Sequence, residues 1–211
     1  MCKPHITNLY ERKKIMANAY KEEFKGAIKK PLSMIKDFVT GNRAPNIGAE
    51  SNRQEVERFL VNEKGFPKEN IEVDVDIEFV VGGEPYSSQI DLVIGVAGKR
   101  FMAIKCAAGS LGSREREILA ASRLLDSYQI PFSVVSDGKT AIVLDTVDGK
   151  KSGEGLNAIP SINEAKAIIN SIALHPLPEE RIERERLIFR TYDTMNINVR
   201  RNVQLNKKER G

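Results

Sequence analysis

The sequence predicts an α/β fold in which a central mixed sheet lies between helices, and three observations predict it. Residues 71–81 alternate apolar and acidic side chains with the period of a strand that has one buried face. Residues 89–96 and 100–107 are nearly apolar throughout, as expected of central strands covered on both faces. Apolar residues at helical spacing over 50–64 precede these strands.

The elements follow one another as a helix, three strands, a helix and two strands, with further helices at both ends. Apolar residues recur at helical spacing over 8–29, and Pro31 is predicted to begin a second short helix that runs through Phe38 and stops at Gly41. The remaining predictions are a helix over 112–128, strands over 131–138 and 140–149, and helices over 161–172 and 178–195.

Length and charge suggest one domain with extensions. The chain has 211 residues, of which 41% are hydrophobic, enough for a core. We predict a helical extension over 1–45, a core over 46–175, and a C-terminal helix with a basic tail over 176–211. The net charge of +4 is uneven, because both flanks are basic and the core is acidic. Basic flanks suit a phosphate backbone and an acidic core suits a cation, although solvated helix faces produce the same pattern.

Several classes of function are not expected. No apolar run approaches the ~18 residues of a membrane span, and the N-terminus has no apolar signal region. Cys2 and Cys106 match no metal-ligand spacing, so we expect reduced thiols in a cytoplasmic protein. The stretch AAGSLGSR, residues 107–114, lacks the Gly-x-x-x-x-Gly-Lys-Ser/Thr spacing of a nucleotide-binding loop, so we expect no ATP.

Two charged residues stand out in the apolar strands. Asp91 lies between Ile90 and Leu92, and Lys105 lies near the end of the next strand. Burying either charge is costly unless the two pair across the hairpin. The pair is either a structural ion pair or part of a functional site. Glu72, Asp74 and Asp76 are predicted to share the solvent-exposed face of an edge strand.

The arrangement of Asp91, a hairpin and Lys105, followed by a helix, resembles the PD-(D/E)XK nuclease superfamily. More narrowly, it is similar to the N-terminal nuclease domain of type I restriction enzyme R subunits and its stand-alone prokaryotic relatives. The similar segments, which span roughly residues 46 to 150, are ESNRQEVERFLVNEKGFPKENIEVD, QIDLVI, AIKCAAGSL and REREILAASRLL. The Asp…Lys pattern is degenerate by itself, and the helix before it makes the resemblance more specific.

The resemblance implies a restriction-endonuclease-like core and a role for each matching residue. Asp91 would bind a divalent cation, Mg²⁺ or Mn²⁺, and Lys105 would orient the attacking water and offset charge on the scissile phosphate. Glu50 would be an outer carboxylate to the metal, and Gln54, one turn further on, would contact the nucleic acid or hold the site together. The chemistry would be in-line displacement at phosphorus.

Ala103 departs from the family pattern, which has a carboxylate two residues before the lysine. Three explanations stay open: the carboxylate has moved to Glu115 or Glu117 on the following helix, the site is weak or inactive, or the fold now only binds nucleic acid or a partner. Glu115 and Glu117 would also stabilise the N-terminus of their helix without any catalytic role.

The function that these residues predict is metal-dependent hydrolysis of DNA phosphodiesters by a degenerate nuclease site. Arg114 and Arg116, after a Gly/Ser-rich stretch, are predicted to contact a phosphate of the DNA. The alternative is a non-catalytic module that binds nucleic acid or forms oligomers. A homodimer is suggested by an apolar stripe on the first helix, formed by Ile15, Met16, Tyr20 and Phe24.

Overall fold

A computed structural model describes residues 33–195 of the chain. The strands are β1 (Met34–Lys36), β2 (Arg43–Pro45), β3 (Ile71–Val81), β4 (Glu84–Val96), β5 (Lys99–Cys106), β6 (Phe132–Ser136), β7 (Ala141–Asp145) and β8 (Lys151–Glu154). The α-helices are α1 (Glu50–Asn62), α2 (Glu115–Leu124), α3 (Ile162–Ser171) and α4 (Glu179–Met195). The predicted helix over 8–29, with its apolar stripe, lies outside the described residues.

Six strands form one mixed sheet in the order β3-β4-β5-β6-β7-β8. All neighbours are antiparallel except β5 and β6, which are parallel and are connected through α2. A parallel pair needs such a crossover, which explains why a helix separates these two strands in the chain. The predicted α/β class, with a mixed sheet between helices and a C-terminal helix, is confirmed. The domain boundaries at 45 and 175 stay a prediction.

Apolar side chains form a core on each face of the sheet. Helices α1 and α3 cover one face, where Val56 and Leu60 pack with Leu92 and Ile104. Helices α2 and α4 cover the other. That second core contains Ile77, Val93, Ala103, Ile118, Ala121 and Phe189. The two central strands are therefore buried on both sides, as their continuous apolar sequence predicts.

The predicted helix from Pro31 to Phe38 is wrong where the structure describes it. Met34–Lys36 forms a strand that pairs antiparallel with Arg43–Pro45. Asp37 makes the turn, because its Oδ1 accepts hydrogen bonds from the Thr40 amide at 2.7 Å and the Thr40 hydroxyl at 2.9 Å. The bond from the Thr40 amide is a local side chain–backbone bond, which favours a turn over a helix.

Two further departures come from weak local signals. Strand β8 was not predicted, since its sequence KSGE is polar and exposed and shows no apolar alternation. The alternation of β3 breaks at Asp74, whose φ of 54° lies in the left-handed region. Aspartate is one of the few residues that adopt this region readily. As a result, Asp74 is half-buried, whereas Glu72 and Asp76 are exposed.

Candidate active site

Asp91 is held at the point where β4 and β5 lie side by side. Its Oδ2 accepts a hydrogen bond of 2.7 Å from the backbone N–H of Cys106, the last residue of β5. The neighbouring Ile90 and Leu92 are buried, so the strand cannot shift without exposing its core side chains. The backbone therefore holds this carboxylate beside the end of β5.

Lys105 brings its ammonium group to the same place. Its Nζ lies 3.6 Å from Asp91 Oδ2 and 3.3 Å from Glu117 Oε1. Burial disfavours the charged form of Lys105, but Asp91, Glu117 and Asp193 together raise the pKa of the ammonium group above its ordinary value. A single buried cation thus has carboxylates on two sides, one from a strand and one from a helix.

Glu117 lies in the first turn of α2 and its side chain is only 2% exposed. Its Oε2 lies 3.4 Å from Nη1 of Arg114, which precedes the helix. Burial raises the pKa of Glu117, while Lys105 and Arg114 act in the opposite direction. Of the two glutamates considered for the missing carboxylate, Glu117 is the one that forms an ion pair with Lys105.

Ala103 provides no polar atom to this site. It is 0% exposed, pairs with Val93 on β4 and Ser133 on β6, and belongs to the core beneath α2. The strand position two residues before Lys105 is therefore filled by a packed methyl group. A carboxylate for this site has to come from another element.

Glu50 and Gln54 lie in a second buried cluster, centred on Arg53 of α1. Arg53 Nη2 lies 2.5 Å from Glu50 Oε1 and 2.8 Å from Asp37 Oδ2, and Nη1 lies 3.1 Å from Glu57 Oε1. Gln54 Nε2 donates to Glu50 Oε1 at 3.0 Å. Gln54 is fully buried, and its proposed contact with nucleic acid stays a prediction.

The pKa values in the arginine cluster differ strongly. Burial raises the pKa of Glu57 to about 7, against the opposing effect of Arg53. Burial acts in the same direction on Asp37, but the Thr40 amide and Arg53 outweigh it and lower the pKa of Asp37. The cluster therefore has one strongly anionic member and one that titrates near neutral pH.

Asp74 lies between the two clusters. The register of β3 and β4 places Asp74 opposite Asp91, because Val73 pairs with Leu92 and Val75 with Ile90. Burial raises the pKa of Asp74, and Asp91 and Asp37 raise it further, while Arg53 and Lys105 oppose them. The two clusters are thus electrostatically connected. The strand periodicity gave no signal for this, since it placed Asp74 on the exposed face.

Helix α4 contributes Asp193, a second residue that the sequence reasoning missed. Asp193 is buried, and its Oδ2 accepts a hydrogen bond from the Tyr86 hydroxyl. Its charge acts on both Lys105 and Glu117. Only the packing of α4 against α2 and β3 brings Asp193 here, and nothing in the local sequence indicates that packing.

A family model described as the type I restriction enzyme R protein N terminus (HSDR_N) matches residues 48–160. The chain belongs to this family. The match confirms the resemblance seen in the sequence and makes this a nuclease-like domain of the type I restriction enzyme R class. Comparisons with curated proteins and with solved structures found no match.

The part that matches the restriction enzyme family contains Glu50, Asp91, Lys105 and Glu117. Asp37 and Asp193 lie on either side of it in the chain. Arg114 is partly exposed and holds Glu117, and Arg116 is exposed on the same helix turn. The predicted contacts of these two arginines with DNA stay predictions.

The family implies a divalent cation, so the carboxylates near Lys105 have to be compared with the ligands that such a cation uses. Within residues 33–195, no group of three or more His, Cys, Asp or Glu side chains is arranged to hold a metal ion. Asp91 and Glu117 nevertheless flank the same point, occupied by Lys105 Nζ. Mg²⁺ commonly uses one or two carboxylates and keeps several waters. A Mg²⁺ or Mn²⁺ ion held by these two carboxylates would therefore keep most of its waters and lie beside Lys105 Nζ rather than between the carboxylates.

The helices in the described part of this restriction enzyme family member give no sign of a membrane span. Over residues 33–195, none combines the length and apolar character needed to cross a bilayer.

Proposed function

We propose that the domain is a metal-dependent endonuclease that hydrolyses DNA phosphodiesters, and that Glu117 replaces the carboxylate absent at Ala103. The observation that carries the proposal is the position of Lys105 Nζ, 3.6 Å from Asp91 and 3.3 Å from Glu117. A nuclease site of this kind needs two hard oxygen donors beside a cationic side chain. Asp91 supplies one from β4 and Glu117 supplies the other from α2.

Asp91 and Glu117 would hold Mg²⁺ or Mn²⁺, with Glu50 acting as an outer carboxylate. A bound divalent cation would neutralise the charge that develops on the scissile phosphate. Lys105, as an ammonium group, donates hydrogen bonds that orient the attacking water and offset charge on a phosphate oxygen. Arg114 keeps Glu117 in place, and Arg116 is available to a neighbouring phosphate.

A second candidate function is a non-catalytic DNA-binding domain, and the contacts among Asp91, Lys105 and Glu117 also favour it. In a non-catalytic domain, Asp91 and Glu117 would serve only to neutralise the charge of Lys105. The ammonium group of Lys105 would then take the place of a metal ion beside the two carboxylates. The buried methyl group of Ala103 favours this reading. We expect neither function to require ATP, and we expect either one to operate in the cytoplasm. We also keep the alternative that the apolar stripe of the N-terminal segment forms a homodimer contact.

The experiment that tests the proposed catalysis is nicking of supercoiled plasmid by the full chain in Mg²⁺ or Mn²⁺, beside Lys105→Ala. We expect metal-dependent nicking by the wild type and its loss in the variant. Equal nicking by both proteins would overturn the proposal. Titration calorimetry with Mn²⁺ separates the two functions, since the absence of binding heat together with salt-sensitive DNA binding supports the non-catalytic domain.

A further inference from the structure

The hairpin formed by β1 and β2 is fixed against α1. The Phe38 amide donates to Gln54 Oε1 at 2.7 Å, and the Val39 amide donates to Glu57 Oε2 at 3.2 Å. Asp37 ties the same turn to Arg53. Because each of these bonds is to α1, the turn has a defined position rather than the freedom of an ordinary surface loop.

A cavity of about 450 Å³ lies between this turn and α1. Three of its lining residues, Lys36, Arg58 and Lys68, are basic. Lys68 Nζ lies 3.8 Å from the centre of the Phe38 ring, and Arg58 Cζ lies 5.6 Å from it. The acid in the lining, Asp37, is buried and directed to Arg53 and Thr40. The basic groups therefore surround an aromatic ring at a concave surface.

The hairpin carries a charge arrangement that folding alone does not favour. Lys36 lies directly opposite Arg43 in the register of β1 and β2. Like charges opposite each other destabilise a strand pair. Arg58 forms an ion pair with Glu55 at 2.8 Å, but both side chains are exposed, so that pair is weak. An anionic ligand at the cavity would relieve the repulsion between Lys36 and Arg43.

The cavity wall is joined through Arg53 to Glu50, the outer carboxylate proposed for the active site. Asp37, in the cavity wall, has its Oδ2 2.8 Å from Arg53 Nη2. Arg53 and Glu50 continue the connection along α1 through direct contacts. The cavity is therefore built partly on the same helix that carries Glu50.

We propose that the cavity lined by Lys36, Phe38, Arg58 and Lys68 binds a backbone phosphate of the DNA held by the domain. The identity of the ligand as DNA rests on the proposed function. Lys68 and Arg58 supply charged donors to the phosphate. The Phe38 ring supplies an apolar surface for the adjacent sugar or base. Lys36 and Phe38 precede the family-matched region, so this contact goes beyond what the family match covers.

The test is DNA binding measured by fluorescence anisotropy with the full chain, a labelled duplex and EDTA, so that no cleavage occurs. Affinity is followed between roughly 50 and 200 mM salt. Lys68→Gln and Arg58→Gln should each lower the slope of log affinity against log salt by about 1 and weaken binding about tenfold at low salt. Lys166→Gln, at an exposed position on α3, is the matched control and should leave the slope unchanged.

Two variants keep the test interpretable. Lys68 also donates a hydrogen bond to the Phe38 carbonyl, so its loss could disturb the turn, whereas Arg58 makes no such bond in the described structure. Equal slopes for Arg58→Gln and Lys166→Gln would overturn the proposal, as would failure of the wild type to bind DNA. If plasmid nicking is absent but the slopes change as expected, the catalytic proposal fails and the phosphate cavity stands. If plasmid nicking occurs but the slopes are unchanged, the catalytic proposal stands and the phosphate cavity is rejected.

Discussion

Lys105 on β5 and Glu117 on α2 form a buried ion pair, with 3.3 Å between Nζ and Oε1. This contact places a helix carboxylate beside the lysine of a strand that has alanine at position 103, where the family pattern has a carboxylate. It is also the contact that distinguishes Glu117 from Glu115, which lies in the same helical turn.

Glu117→Gln should lower the rate of metal-dependent plasmid nicking by at least about tenfold, because the amide is a poor ligand for a hard cation. Glu115→Gln removes the same charge from the same turn of α2 without touching Lys105, so its nicking rate should stay close to wild type. Mn²⁺ affinity measured by calorimetry should fall only in the first variant. Similar losses in both variants would mean that the charge near the helix N-terminus matters, and not a ligand at Glu117.

Arg53→Met should destabilise the domain by about 3–5 kcal/mol, because it leaves Asp37, Glu50 and Glu57 buried without their cation. Arg58→Met, five residues further along α1, removes an exposed ion pair and should cost less than about 1 kcal/mol. Urea unfolding of the two variants measures the difference. If the costs were equal, the Arg53 cluster would not be a structural centre.

Stability should fall between about pH 4.5 and 7 through Glu57. Burial raises the pKa of this carboxyl from 4.5 to about 7. The folded state therefore holds the proton more tightly than the unfolded state, and its advantage is complete below pH 4.5 and is lost as the pH rises to about 7. The shift corresponds to about 3 kcal/mol. Asp37 does not contribute in this window, because its pKa is lowered below 3.8.

Glu57→Gln cannot ionise, so it should lack this loss. The difference in unfolding free energy between Glu57→Gln and wild type should move in favour of the variant as the pH rises from 5 to 8. Chemical denaturation across that range gives both curves, and groups that titrate in both proteins cancel in the difference. Parallel curves would show that Glu57 ionises at its ordinary pKa.

Phe189→Ala should cost about 3–5 kcal/mol, because the buried ring of α4 packs edge-on against Phe79 and Tyr86 at 5.9 and 6.2 Å between ring centres. Leu187→Ala on the same helix should stay within about 0.5 kcal/mol, since Leu187 is 49% exposed. Thermal unfolding compares the two. A small cost for Phe189→Ala would mean that these ring contacts do not hold α4 against β3 and β4.

Much of the fold follows from local patterns, and the errors have local causes too. The period of two over β3 and the apolar runs of β4 and β5 predict strands correctly. Successive side chains of a strand point to opposite faces, so burial on one or both faces produces these patterns directly in the sequence. The same kind of reasoning predicts a helix over residues 34–36, where the structure has a strand. Apolar residues at Ile35 and Phe38 suit helical spacing, but Asp37 forms side-chain bonds that make a turn, and periodicity does not detect them.

The candidate site likewise has residues that the sequence predicts and residues that it does not. Asp91 and Lys105 could be paired from the sequence, because they lie on adjacent strands of one hairpin and each needs an opposite charge. The sequence offered Glu115 and Glu117 equally, and it placed Asp74 with the exposed acids. It gave no indication that Asp193 lies near Lys105 or that Phe38 meets Lys68.

The amino-acid order by itself therefore determined the class of fold, the family, and one charged pair across a hairpin, since all three depend on neighbours close along the chain. Tertiary structure alone decided which glutamate reaches Lys105, which acids surround Arg53, and where basic side chains gather around Phe38. These contacts join helices and strands that are distant in sequence, and their geometry is set by how the two cores pack against the sheet.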